Sequence, residues 1–141
     1  MKKRWIIVIT LLIIAIMGLI LYFSLFYLPS EKATINEFSA HKETFVEVVE
    51  FLQKNQVDKI IIDKDNVAKY DSDDFNFILK KLNYQEIVYN STDSINFIKR
   101  SAFDGSFTGI VYCKGNEEPY KSNSYSLKQI TENWYYLSYW T

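Results

Sequence analysis

The feature that most constrains this chain is an uncharged, apolar stretch of 24 residues at positions 5–28, close to the N-terminus. As a helix rising about 1.5 Å per residue it would span roughly 36 Å, which exceeds a bilayer hydrocarbon core of about 30 Å. Trp5 lies at one end and Tyr22 and Tyr27 lie near the other, as aromatic side chains at membrane interfaces do. Pro29 then prevents the helix from continuing. The sequence therefore predicts a transmembrane helix over residues 5–28, with the membrane as the first partner.

The residues that flank this stretch predict how the chain is oriented. Lys2, Lys3 and Arg4 precede it, and the positive-inside rule keeps such a segment in the cytoplasm. The stretch is far longer than the roughly 7–15 apolar residues of a cleaved signal peptide. We therefore predict an uncleaved, single-pass signal anchor with residues 1–4 in the cytoplasm and the C-terminal domain outside the cell membrane.

Beyond the anchor, the sequence predicts a short tether over residues 29–33 and one extracytoplasmic domain over residues 34–141. The domain has about 110 residues, enough to bury a core without disulfides or metals. Residues 29–141 carry all 17 acidic residues of the chain and 13 basic ones (16 in the chain less the three before the anchor), which gives a net charge of −4. That balance excludes nucleic acid and disfavours an anionic membrane surface as the main partner. Cys113 is the only cysteine, and its apolar neighbours predict a buried thiol.

Hydrophobic periodicity predicts that the domain begins with an amphipathic helix over residues 34–55. Thr34 and Glu37 have the spacing of a capping box, in which each side chain bonds a free backbone N–H of the first turn. Apolar residues then recur at helical spacing, at Ile35, Phe38, Phe45, Val49 and Leu52. We expect this stripe to pack on the domain's own sheet, although its nearly heptad spacing leaves a homodimer interface possible.

The remaining pattern predicts a second helix and a series of strands. Carboxylates before an apolar run favour a short helix over residues 72–83. Apolar and aromatic runs bounded by polar turns predict strands at 57–63, 86–90, 95–102, 107–114, 125–130 and 134–140. The predicted fold class is α+β, with two helices packed on one face of an antiparallel sheet of about four to six strands.

The sequence offers no convincing catalytic, metal or cofactor motif. His41 is the only histidine and has no second ligand at metal spacing. The acidic segments 63–66 and 71–74 resemble calcium loops but carry Ala68 and Asn76 where such loops require glycine. We therefore predict no enzyme activity and no cofactor. The alternative is a small envelope hydrolase or metal-dependent enzyme that uses Asp and Glu residues.

The C-terminal strand is the strongest candidate for a binding surface. Five of its seven residues from 134 to 140 are aromatic: Trp134, Tyr135, Tyr136, Tyr139 and Trp140. They are either core residues of the sheet or an outward surface that binds a protein, peptide or glycan, since Tyr and Trp dominate binding hot spots. The sequence thus favours a membrane-anchored interaction module, such as an accessory or regulatory subunit at the envelope. A self-associating structural membrane protein is a further alternative.

The predicted orientation can be tested by protease treatment of intact cells that carry the chain with a C-terminal tag. We expect the tag to be lost from intact cells, with residues 1–29 retained in the uncut protein. A tag that is protected until lysis would place the domain in the cytoplasm.

Overall fold

The structure is a computed structural model that describes residues 2–26, 28–55, 59–70, 72–90, 94–100, 105–115 and 125–139. It begins with a long helix, α1 (Lys2–Phe26). The window Trp5–Tyr22 is apolar and long enough to cross a membrane, and none of it is buried against the rest of the chain. Within α1, the Thr10 hydroxyl donates to the Ile6 carbonyl at 2.9 Å, so this polar group has a partner inside the apolar helix.

The predicted single helix over residues 34–55 is wrong in its extent and in its cap. The structure has two helices, α2 (Glu31–Ala40) and α3 (Lys42–Lys54), which meet at His41. His41 leaves the helical conformation, with φ −126°. The cap of α2 is Ser30, whose hydroxyl accepts from the Ala33 N–H at 3.3 Å. Thr34 and Glu37 therefore lie inside the helix, and only residues 28–30 of the described chain connect it to α1.

The apolar stripe of α2 and α3 is buried inside the domain. Its large side chains are between 0% and 3% exposed: Phe38, Phe45, Val48, Val49 and Leu52. Phe45 makes edge-to-face ring contacts with Tyr84 at 5.6 Å and Phe97 at 4.9 Å. The prediction that this stripe packs on the domain's own sheet is confirmed, and these side chains are not free to form a dimer interface.

The second predicted helix is shorter and less regular than the pattern indicates. A single turn, α4 (Asp73–Asn76), continues into a π-helical turn, Phe77–Lys81. Asp73 and Asp74 lie in its first turn, where the free N–H groups favour negative charge. Asn83 then adopts a left-handed conformation with φ +58°, which asparagine tolerates better than most residues. A short 3₁₀ turn, Val67–Lys69, precedes α4.

The six predicted strands are present in one antiparallel sheet, with the order β1-β2-β3-β4-β6-β5. The strands are β1 (Lys59–Asp63), β2 (Glu86–Asn90), β3 (Ser94–Arg100), β4 (Phe107–Cys113), β5 (Tyr125–Thr131) and β6 (Trp134–Tyr139). The hairpin predicted between β5 and β6 is confirmed, and its turn places Asn133 at φ +63°. The α+β class is therefore confirmed, with more helices than predicted.

The two faces of the sheet bury side chains in two separate clusters. On the helical face, strand residues join the helices in one apolar cluster that includes Ile62, Ile87, Phe97, Ile110 and Trp134. On the opposite face, a smaller cluster contains Val111, Cys113, Tyr135 and Leu137. Cys113 is 5% exposed, as expected for a buried thiol. Both faces of the central strands thus contribute to the core.

The outer edge of β1 is protected by a side chain of the loop that follows it. The Asn66 amide donates to the Ile61 carbonyl at 2.9 Å, and its oxygen accepts from the Asp63 N–H at 3.0 Å. The Asp63 carboxylate in turn accepts from the N–H groups of Asp65 and Asn66, both at 3.0 Å. One amide thus occupies the position of a neighbouring strand, which discourages pairing with another chain.

Gly109, in the centre of β4, is required by close backbone packing. A Cβ built at this position would lie 2.1 Å from the Phe97 carbonyl oxygen on the neighbouring strand. We predict that Gly109→Ala lowers the free energy of unfolding by on the order of 3 kcal/mol, since the two strands must separate. Urea unfolding of the full chain in detergent, followed by Trp fluorescence, measures this.

Ser126→Ala, on the exposed side of β5, is the matched control and should change the free energy of unfolding little. A Gly109→Ala variant as stable as that control would contradict the proposed backbone clash.

Candidate functional site

The aromatic strand β6 is mostly buried, which revises the predicted binding surface. Trp134 is 4% exposed, and Tyr135 and Tyr136 are each 5% exposed. Trp134 packs on the helical face, with its ring 4.8 Å from that of Phe38 and 5.1 Å from that of Tyr112. The expectation of an outward surface is therefore not met for these three side chains, because helices and neighbouring strands cover them.

Tyr139 is the exception among the described residues of this strand, since it is only half-buried. Its ring lies 5.3 Å from Phe107 on β4 and 5.2 Å from Tyr125 on β5. The Arg100 guanidinium on β3 lies 5.5 Å from the centre of the Phe107 ring. These four side chains form a row across four adjacent strands, which we call the aromatic row. Trp140, the fifth predicted residue, lies outside the described residues.

The aromatic row lies at the end of the sheet nearest to the C-terminal end of α1. Arg100 of this row also lines a pocket of about 190 Å³. We call it the proximal pocket, and its lining is Leu28, Pro29, Asn83, Gln85, Lys99 and Arg100. Since Leu28 ends the apolar stretch and Pro29 follows it, this end of the sheet is the one nearest to α1.

Three ion pairs surround this end of the domain. Lys99 pairs with Glu37 of α2 at 2.7 Å, and its side chain is only 11% exposed. Lys128 of β5 pairs with Glu31 at 2.5 Å, and Arg100 pairs with Glu86 of β2. Two of the pairs join α2 to the sheet, so they help to hold the first helix of the domain in place.

Tyr84 lies beneath the Lys99–Glu37 pair. The Lys99 ammonium is 4.4 Å from the centre of its ring, a cation–π geometry. Tyr84 is fully buried, and its hydroxyl makes no hydrogen bond within the described part of the chain. Burial raises the pKa of Tyr84 well above its usual value of 10.0, and the charge of the nearby Glu37 carboxylate raises it further.

The other candidate residues do not converge on a reactive centre. The His41 ring lies 5.1 Å from Phe77, in an edge-to-face contact at the junction of α2 and α3. The Asp63 carboxylate accepts hydrogen bonds from backbone N–H groups of its own turn, and Asp71 lies outside the described residues. No three His, Cys, Asp or Glu side chains of the described residues come close enough to hold a metal ion.

One groove lined by acidic residues is relevant to the alternative prediction that this chain is an enzyme using Asp and Glu residues. Glu47, Glu50 and Asp74 line it, together with Phe51, Ser72 and Lys54. Both glutamates lie on the exposed side of α3. Water therefore solvates them, and the groove has no enclosed position for a substrate.

The residues of the proximal pocket were not recognisable as a site from the sequence. Lys99 and Arg100 lie within the predicted strand 95–102, and adjacent residues of a strand point to opposite faces of the sheet, so the pair does not indicate one surface. Here Lys99 reaches the helical face and pairs with Glu37, while Arg100 lies over Phe107 on the other face. The basic pair itself was the signal that could have indicated the site.

Comparisons with protein-family models, with curated proteins and with solved structures gave no match. Any function must therefore be inferred from the geometry of this chain.

We predict that Tyr84→Phe changes the free energy of unfolding by less than about 1 kcal/mol at pH 7, because the hydroxyl has no hydrogen-bond partner at bonding distance among the described residues. Below pH 10 the hydroxyl is protonated in both states. Above pH 10 the unfolded state loses this proton first, so the wild-type chain loses stability as the pH rises. The variant should lose less stability between pH 9 and pH 11.

Urea unfolding at several pH values measures this difference, and Tyr70→Phe, at a ring that is only half-buried, controls for loss of a hydroxyl. An alkaline slope that is the same in the wild type and in Tyr84→Phe would contradict the role assigned to this buried group.

Proposed function

We propose that this chain is a single-pass, membrane-anchored binding module whose domain lies outside the cytoplasm and binds its partner at the membrane surface. The observation that carries the proposal is the aromatic row at the end of the sheet nearest to the anchor. Lys2, Lys3 and Arg4 before the apolar helix support the outward orientation of the domain.

The aromatic row has the composition and the order of a binding surface. Tyr and Arg are enriched among the residues that contribute most of the free energy of binding. Phe107, Tyr125 and Tyr139 are each half-buried, so part of each ring remains accessible. Because these rings already contact one another, they lose little side-chain freedom when a partner covers them.

The position of the row favours a partner that is itself at the membrane. Only residues 28–30 of the described chain separate α1 from α2, so the anchored domain cannot move far from the bilayer. A membrane protein adjacent to the anchor reaches the row without a conformational change in this chain. We therefore propose an accessory or regulatory subunit of a membrane complex.

The proposal can be tested by photocrosslinking in cells. A photoreactive amino acid at position 139 should capture a discrete protein, and Tyr125→Ala should reduce that product by about tenfold, the effect of a binding hot spot. The same photoreactive residue at position 114 is the control, since Lys114 is exposed at the other end of the sheet.

The same products from both positions, or none from position 139, would contradict the proposal. Circular dichroism of Tyr125→Ala should match that of the wild-type chain, so that loss of the product reports loss of binding rather than unfolding.

A further inference from the structure

Among the described residues, the lining of the proximal pocket has four side chains that carry N–H donors and no carboxylate, and we propose that the pocket binds the phosphate group of a membrane lipid headgroup. This inference rests on the membrane anchoring proposed above, because the anchor is what brings the pocket to the depth of the headgroups. It shares only Arg100 with the aromatic row, and it adds a ligand class to the same end of the domain.

The orientation of the Asn83 amide follows from its neighbour. The Lys64 ammonium, which can only donate, bonds the Asn83 side-chain oxygen at 2.7 Å. The side-chain NH₂ is therefore the group left for a ligand. The left-handed backbone at Asn83 fixes where the side chain begins, and asparagine is one of the few residues that tolerates this conformation.

The Gln85 amide is oriented in the same manner. The backbone N–H of Arg100 donates to the Gln85 side-chain oxygen at 2.9 Å. A backbone N–H has no acceptor character, so the oxygen and nitrogen of this amide cannot be exchanged without losing the bond. Gln85 thus also has its NH₂ group left over, and two amide donors line one small pocket.

The two basic residues of the lining supply further donors. The Lys99 ammonium has three N–H groups and bonds one Glu37 oxygen. The Arg100 guanidinium has five, and it bonds Glu86 through Nε and one terminal nitrogen. The two carboxylates hold these cations in place without exhausting their donors. Among the residues that the structure describes, no Asp or Glu lines the pocket.

A phosphate group is the ligand that fits this set of donors. Arginine, lysine and amide N–H groups are the usual partners of phosphate oxygens, and charge-assisted bonds to them are about twice as strong as neutral ones. The volume of about 190 Å³ is large enough for a headgroup phosphate. Leu28 and Pro29 supply an apolar wall on the anchor side, against which the glycerol end of a lipid would lie.

The domain's net charge of −4 restricts the kind of lipid contact that is possible. Overall repulsion disfavours adsorption to a strongly anionic surface. The donors of the pocket act over hydrogen-bonding distance instead, so they can bind one headgroup while the rest of the domain stays clear of the bilayer.

The test is a titration of the full chain in dodecyl maltoside, a detergent whose headgroup has no phosphate. Dihexanoylphosphatidylglycerol, kept below its micellar concentration, is added and the side-chain amide signals of Asn83 and Gln85 are followed by NMR. We expect saturable shifts of both signals. Dihexanoylglycerol, which lacks the phosphate, should cause none, and inorganic phosphate should bind more weakly than the lipid.

Two variants exchange a donor for an acceptor at nearly constant shape. Asn83→Asp keeps the oxygen that Lys64 bonds, and Gln85→Glu keeps the oxygen that the Arg100 N–H bonds. Each should weaken lipid binding by about tenfold or more, observed on the amide signal of the other residue. Lys114→Gln, which changes one charge at the opposite end of the sheet, should leave binding unchanged.

The outcomes separate this inference from the proposed function. Shifts with neither the lipid nor inorganic phosphate, or equal binding by both donor-exchanged variants and the wild type, would overturn the anion site. Equal affinity for inorganic phosphate and lipid would retain the anion site but overturn its assignment to a lipid. If lipid binding is absent while position 139 still crosslinks to a protein, the lipid inference fails and the proposed function stands.

Discussion

The arrangement of this molecule depends on how little chain separates the apolar helix α1 from the domain. α1 ends at Phe26 and α2 begins at Glu31, which leaves five Cα-to-Cα steps between them. Even fully extended, that length spans no more than about 18 Å. Leu28 and Pro29 use part of it in contact with the sheet end around Lys99 and Arg100. The short connection therefore determines which end of the sheet lies beside the anchor.

Contacts between helix α2 and the sheet fix the position of the domain relative to this short connection. Glu31 pairs with Lys128 on β5, and Glu37 pairs with Lys99 on β3. Phe38 packs on Trp134 of β6, with the ring centres 4.8 Å apart. The exposed Glu31–Lys128 pair contributes about 0–1 kcal/mol, so buried aromatic packing, rather than charge, provides most of the stabilisation. Helix α2, which follows α1 closely, thus contacts several strands. As a result, the aromatic row and the proximal pocket lie at the same end of the sheet.

The sequence predicted the strands well because their pattern is local. Alternation and β-branched or aromatic runs identified all six, to within a few residues. The first helix was less predictable, because Phe38 and Phe45 lie seven residues apart and the stripe continues across the break at His41. The first turn of α2 carries no apolar periodicity, since Glu31, Lys32 and Ala33 are exposed. The start of α2 therefore had no hydrophobic signal in the sequence, and the capping-box spacing of Thr34 and Glu37 predicted the wrong start.

The candidate site was predictable only in part, for a different reason. The aromatic residues of β6 were evident, but their burial depends on what the rest of the chain places above each face. Tyr136 and Tyr139 have similar sequence surroundings, yet only Tyr139 remains half-exposed, at the end of the sheet. The proximal pocket combines residues from the tether, the turn after α4 and the end of β3. No spacing along the chain brings such distant segments together, so the basic pair Lys99 and Arg100 was the one signal in the sequence and the fold supplied the rest of the site.

The central claim is that the end of the sheet carrying Arg100, Phe107 and Tyr139 lies at the bilayer surface. The most direct test is NMR of the wild-type chain in nanodiscs whose lipids carry a nitroxide on the headgroup. Paramagnetic broadening should be strong for the backbone amides of these three residues and weak for Cys113 and Lys114, at the opposite end of the sheet. Equal broadening at both ends, or stronger broadening at Cys113 and Lys114, would contradict the account.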